Sequence, residues 1–96
     1  NETTFYARVE GNSMCEAGIF DGDLVVIDKS IEAKEGDIVA AFIDGEFTLK
    51  RFKVDEHEGC AWLMPANADY KPIKVTEENT FLVWGVMTFC IRRFHE

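Results

Sequence analysis

Histidine and cysteine are scarce in this chain, with two of the first and three of the second among 96 residues. Cys15, Cys60 and Cys90 are an odd set with no C-x-x-C pair, which excludes a disulfide framework and points to free thiols in a reducing, cytoplasmic setting. His57 and Cys60 offer two ligand types close together. Zinc needs three or four, and no second pair stands in the chain, so neither a metal nor a cofactor is expected. Long apolar runs are also missing: Leu24 to Ile27 and Ile38 to Ile43 are strand-sized, far below the ~18–20 residues of a membrane helix. Asn1-Glu2-Thr3-Thr4 has neither the basic start nor the apolar stretch of a signal peptide. No G-x-G-x-x-G, G-x-x-x-x-G-K-[ST] or H-E-x-x-H motif occurs. Basic residues are outnumbered by 18 to 10, for a net charge of −8. Direct nucleic-acid binding is therefore not expected, because phosphate-binding domains are usually basic. An acidic domain in a DNA pathway would act through protein partners.

What is present is ordinary globular chemistry. Hydrophobic residues make up 47% and charged residues 29%, enough for a core, and the length fits a single domain spanning residues 1–96. Strand-forming runs are broken by glycine-bearing turns. Phe5 to Glu10 reads as a strand, broken at Gly11-Asn12-Ser13. Met14 to Ala17 reads as one helical turn, capped by Asn12 or Ser13 and ended by Gly18. Asp23 to Asp28 is a buried strand. Ile38 to Ile43 and Glu46 to Val54 flank Asp44-Gly45, the strongest short hairpin signal. In the return strand Phe47, Leu49 and Arg51 share one face, and Glu46, Thr48, Lys50 and Phe52 the other. Cys60 to Met64 is a short strand stopped by Pro65, and residues 67–72 form a turn-rich loop. Thr80 to Arg92 is one long strand or two, jointed at Gly85. The class is mostly β with one short helical turn.

Candidate chemistry narrows to a serine and a lysine. His57 sits in an acidic turn and His95 at the chain end, neither suited to be the buried, oriented base of a triad. Ser13 stands between a strand end and a helix start, a junction that can aim a hydroxyl outward beside free amide groups. A hydroxyl needs a base to become a nucleophile, and a lysine serves only when neutral, so its pKa of ~10.4 must fall through burial or nearby positive charge. Lys50 fits best, in a strand beside Phe47, Leu49 and Phe52, with Arg51 adding positive charge. Lys29, Lys34, Lys71 and Lys74 lie in polar or turn segments, and Lys53 is nearer the acidic turn. On residue types alone the signal is weak: a serine after a strand is usually a cap or turn residue, and a lysine in an edge strand usually snorkels to water.

The order of motifs carries more. Gly11-Asn12-Ser13-Met14 followed by Gly18-Ile19-Phe20-Asp21-Gly22-Asp23-Leu24-Val25-Val26-Ile27-Asp28 resembles the nucleophile segment of the LexA/UmuD family of self-cleaving serine proteases, peptidase family S24. Gly36-Asp37-Ile38-Val39-Ala40-Ala41 and Asp44-Gly45-Glu46-Phe47-Thr48-Leu49-Lys50-Arg51 resemble its lysine hairpin. Residues 63–73 are similar to its third signature block, and Gly85-Val86-Met87 to its final strand. The resemblance implies a compact catalytic β-fold of several small twisted sheets, with Ser13 as nucleophile and Lys50 as general base. It implies cleavage of the protein's own chain at an upstream Ala-Gly or Cys-Gly bond, stimulated by the RecA–single-stranded-DNA filament in the SOS response. Backbone amides near Ser13 would hold the oxyanion.

Within the family, Asp44-Gly45-Glu46-Phe47-Thr48 and the early start favour the UmuD branch. That branch implies a homodimer which, once processed, joins a Y-family polymerase (UmuC-like) in translesion synthesis. The alternative inside the fold is the autocleavage and dimerisation domain of a LexA-like repressor. Outside it stand a signal peptidase, disfavoured by Phe52-Lys53-Val54-Asp55 where a Gly-rich stretch is usual, and a non-catalytic acidic module that dimerises or binds a partner. Asn12 replaces the Asp frequent in UmuD relatives. The Ala-Gly step at Ala17-Gly18 lies too close to Ser13 to be its substrate, so the cleavage arm is expected to be absent from residues 1–96. Met14 and Cys15 are read as packed residues. Phe81, Val83, Val86, Phe89 and Ile91 are read as core or dimer interface, and Trp62 and Trp84 as core.

Overall fold

A computed structural model describes residues 2–92 and 94. Among these residues the chain is mostly β, as expected. Strands β1 (Thr4–Arg8), β2 (Leu24–Asp28), β3 (Ile38–Ile43), β4 (Glu46–Asp55), β5 (Cys60–Met64), β6 (Ile73–Val75) and β7 (Phe81–Ile91) accompany one 3-10 turn at Cys15–Ala17. The strands are hydrogen-bonded in one continuous order, β1-β2-β7-β3-β4-β5-β6, and every neighbouring pair is antiparallel. No described helix is long and apolar enough to cross a membrane.

The β3–β4 hairpin turns on Asp44 and Gly45, both with positive φ (48° and 87°). A two-residue loop of this hand matches the twist of the flanking strands, which is why Asp-Gly sits there. Register then follows, with Val39 opposite Lys50 and Ala40 opposite Leu49. Period two sends Val39, Ala41 and Ile43 into one core cluster with Leu63, Val75 and Val86. Ala40 joins the other, made by Met14, Ile19, Val25 and Ile27.

The final strand is continuous through Gly85, and its irregularities lie beside that residue. Ala40 pairs with Gly85 but Ala41 with Val83, leaving Trp84 as an extra residue. Val26 pairs with Phe89 but Ile27 with Met87, leaving Thr88 as another. Two bulges in one strand bend the sheet and reverse the in–out alternation. The first bulge moves the face from odd to even positions, so Phe81 and Val83 pack against the first cluster and Val86 is buried in it; the second restores the odd phase, and Phe89 and Ile91 lie on that same face but stay exposed. Gly85 is required by close approach: a Cβ there would meet Ile27 Cγ2 at 2.5 Å and the Asp28 carbonyl oxygen at 3.1 Å. The edge strand β6 carries no clear sequence signal, being three residues held by pairing with Ala61 to Leu63.

Candidate active site

Ser13 lies on the irregular turn between β1 and the 3-10 turn. The expected side-chain cap is not made; Cys15 N–H instead donates to the Asn12 carbonyl at 3.2 Å. The Ser13 hydroxyl is turned to Lys50, which is why it does not cap. Gly18 ends the turn in the left-handed region, φ 82°, a conformation glycine adopts without steric cost. Met14 is buried under the turn, as expected for a packed residue. Cys15 is half-buried, its Sγ accepting a bond from Asn67 Nδ2 at 3.4 Å.

Lys50 projects from β4 with only 9% of its surface exposed. Its Nζ lies 3.0 Å from Ser13 Oγ, 2.6 Å from Thr48 Oγ1 and 3.4 Å from the Leu49 carbonyl oxygen. Burial lowers its pKa from the ordinary lysine value, because the charged form loses its hydration. The neighbouring cation contributes nothing to this. Arg51 points to the opposite face, as strand alternation requires, and its guanidinium donates to the Gly36 carbonyl at 2.7 Å. Desolvation, and not a nearby positive charge, favours the neutral amine.

Both side chains open into a cleft of ≈ 280 Å³, lined also by Val9, Met14, Phe47 and Thr48. Among the described residues the amides of Asn12, Ser13 and Met14 donate to no acceptor, so three consecutive N–H groups stand beside the hydroxyl. Of the two histidines, His57 is in an exposed turn away from this cleft, and His95 lies outside the described residues. Near His57, Asp55, Glu58 and Cys60 bring their polar atoms within 4.8 Å of one another. The two carboxylates already have partners, however: Asp55 Oδ1 accepts from Glu58 N–H at 3.1 Å and Glu58 pairs with Lys74 at 3.7 Å.

Two features of the site escaped the sequence reading. One is the contact of Thr48 with Lys50, whose only signal is the strand face that a period of two gives both residues. The segment after β5 grips the Ser13 turn, with Ala66 N–H donating to the Ser13 carbonyl at 2.8 Å and Asn67 Nδ2 to the Asn12 carbonyl at 2.8 Å. Contacts across 55 residues carry no local signature.

Several known proteins are similar to this chain over nearly its whole length. The LexA repressor of Streptomyces avermitilis is 51% identical over 89 residues, covering 93% of this chain and 36% of that protein. The LexA repressor of Alcanivorax borkumensis is 44% identical over 89 residues, 93% of this chain and 42% of that one. That of Carboxydothermus hydrogenoformans is 40% identical over 90 residues, 94% and 43%. The chain thus spans less than half the length of these relatives. The Peptidase S24-like family model matches residues 1–88, and the chain belongs to that family.

Proposed function

We propose that this domain is the autocleavage and dimerisation unit of a LexA-like transcriptional repressor, acting as a serine endopeptidase through Ser13 and Lys50. The observation that carries the reading is the 3.0 Å approach of a buried lysine amine to a serine hydroxyl within a cleft of an S24 fold. The relatives favour the repressor over the UmuD-type polymerase subunit. The hairpin residues that suggested UmuD are weak discriminators, because Asp44 and Gly45 answer to the positive φ of a two-residue turn.

The chemistry runs as follows under this reading. A neutral Lys50 amine has two N–H groups and one lone pair. Thr48 Oγ1 and the Leu49 carbonyl accept the N–H groups, leaving the lone pair for the Ser13 proton. Ser13 Oγ gives its proton to Nζ and bonds to the scissile carbonyl carbon. The oxyanion takes hydrogen bonds from amides among Asn12, Ser13 and Met14. Collapse breaks the C–N bond, and the Lys50 ammonium protonates the leaving amine. A water then gives a proton to Lys50 as its oxygen bonds to the acyl carbon; collapse breaks the ester bond to Ser13 Oγ, and Lys50 returns the proton to that oxygen, which frees the acid and restores both the hydroxyl and the neutral amine.

The substrate is an upstream Ala-Gly or Cys-Gly bond of the same polypeptide. Ala17-Gly18 is unsuitable, since the Gly18 amide is tied to the Cys15 carbonyl at 3.0 Å. Stimulation by the RecA–single-stranded-DNA filament fits a chain of net charge −8 that acts through proteins. A second copy would cover the row Tyr6–Val26–Phe89, whose aromatic ends are 66% and 67% exposed. The test is processing of the full-length protein, or of an arm supplied in trans, by Ser13→Ala and Lys50→Ala. Both are expected to stay folded and uncut, and normal processing by either would sink the reading. Specific operator binding by the full-length protein would support the repressor; binding to a Y-family polymerase in its place would favour the UmuD branch.

A further inference from the structure

Ser13 and Lys50 are carried by parts of the sheet that are not neighbours. Ser13 follows β1, Lys50 is in β4, and β2, β7 and β3 stand between those strands. A shorter tie runs through the segment after β5. Met64, the last residue of β5, pairs with Arg51, the residue after Lys50. Immediately beyond Pro65, Ala66 N–H donates to the Ser13 carbonyl at 2.8 Å and the Ala66 carbonyl accepts from Glu16 N–H at 2.7 Å. Ala68 N–H donates to Glu16 Oε2 at 3.0 Å. Asn67 completes the grip with its side chain, donating from Nδ2 to the Asn12 carbonyl at 2.8 Å. The segment is therefore rooted one residue from the base and fastened on both flanks of the nucleophile.

Asn67 is oriented for this. Its Oδ1 accepts the Asp69 N–H at 2.9 Å, an Asx-type turn that aims the amide nitrogen at the nucleophile turn. Donor meets acceptor at both ends of the amide.

We propose that Asn67 is a positioning residue for the Ser–Lys pair, setting the Ser13 Oγ to Lys50 Nζ distance through its bond to the Asn12 carbonyl. This rests on the reading of Ser13 as nucleophile and Lys50 as base. Loss of the tie lets the hydroxyl drift from the amine, and displacement on the order of 1 Å costs up to roughly 100-fold in rate.

The test uses the full-length protein well below its unfolding temperature. Self-cleavage is followed across pH, and Ser13 labelling by a fluorophosphonate gives a readout independent of substrate docking. Asn67→Asp keeps an oxygen for the Asp69 N–H but has no N–H for the Asn12 carbonyl. Asn67→Ala loses both of these bonds and the one from Nδ2 to Cys15 Sγ. Both variants are expected to lower the high-pH plateau of cleavage about tenfold, and the labelling rate by the same factor, while the pH midpoint set by Lys50 stays put. A merely structural turn would leave Asn67→Asp at the wild-type plateau, and that result overturns the proposal. If Asn67→Asp does not fold, Asn67→Ser decides in its place: it keeps a weaker turn, is too short to reach Asn12, and a wild-type plateau again overturns the proposal. Wild-type protein that neither cleaves nor labels in a Lys50-dependent way would instead defeat the Ser–Lys reading, and the proposal with it.

Discussion

Thr48 Oγ1 lies closer to Lys50 Nζ, at 2.6 Å, than does Ser13 Oγ, at 3.0 Å. The threonine is two residues before the lysine on the same strand face, so β4 supplies both the buried amine and the acceptor that orients it. Thr48→Val removes that acceptor at nearly constant shape. Cleavage is expected to slow by about tenfold, near the ~1.4 kcal/mol value of one good hydrogen bond. Thr48→Ser keeps the oxygen and is expected to stay close to wild type. First-order cleavage rates of the two variants at one pH check this.

The protonation state of Lys50 makes a second expectation. Burial lowers its folded pKa, so the neutral fraction, and with it the cleavage rate, rises with pH and levels off above that lowered value. Lys50→Ala is expected to be slower by at least about 100-fold and to lose this rise. Stability has a linked sign. Between the folded and unfolded pKa values the unfolded chain binds more protons, so this group makes stability rise with pH across that window, and below it the charged amine carries its full burial penalty. Lys50→Met removes the penalty. Its melting temperature is expected to exceed that of wild type at pH 7, with the difference narrowing as pH climbs through the window.

How much of this was readable in the residues depends on the range of the interaction. The β3–β4 hairpin and the common face of Thr48 and Lys50 follow from Asp44-Gly45 and from period two, which are local. The end of the helical turn at Gly18 follows from one backbone angle. The expected cap is absent because a serine at a helix start has two possible uses, and only the distant Lys50 shows which one Ser13 takes. The positive charge expected from Arg51 beside Lys50 is denied by strand alternation, which turns its guanidinium to the Gly36 carbonyl. In β7 the bulges at Trp84 and Thr88 arise from two different neighbours on its two sides, and nothing within the strand announces either. The pairing of Ser13 with Lys50 was suggested by motif order, while the tie through Asn67 required the fold.

Gly85 gives a sharp stability expectation. A methyl group there would overlap Ile27 Cγ2 at 2.5 Å and press on the backbone of Asp28 at 3.1 Å. Ile27 is fully buried and has nowhere to go. Gly85→Ala is expected to cost about 1–3 kcal/mol through overpacking. A domain of this size then loses roughly 4–8 °C in melting temperature per kcal/mol. A thermal melt of the variant against wild type measures it, and a shift under about 2 °C would show that β2 and β7 can slide apart at this crossing.

The last expectation concerns the opposite end of the loop that carries Ser13. Arg92 Nε and Nη2 hold the two oxygens of Asp23 at 3.1 and 2.7 Å, and Nη2 also donates to the Gly18 carbonyl. The guanidinium lies 4.7 Å from the Phe20 ring centre. The bond from Arg92, with those from Phe20 N–H and Cys90, holds the Asp23 carboxyl well below the usual carboxylate range against the opposing effect of burial. Because the folded value is depressed, the stability this group supplies is complete above its unfolded pKa of about 4 and is lost as pH falls through the folded value. Arg92→Ala leaves the buried carboxylate without its cation. The variant is expected to be less stable than wild type, by less than the loss of a partner from a fully buried pair would cost, because a third of the Arg92 side chain (34%) stays in water. The acid-unfolding midpoint is expected to move to higher pH. Asp23→Asn in the Arg92→Ala background should then cost little more, since the charge that suffered is gone. Unfolding free energies of the two single variants and the double variant at pH 7 give the coupling directly; simple additivity would mean that the pair does not act as a unit.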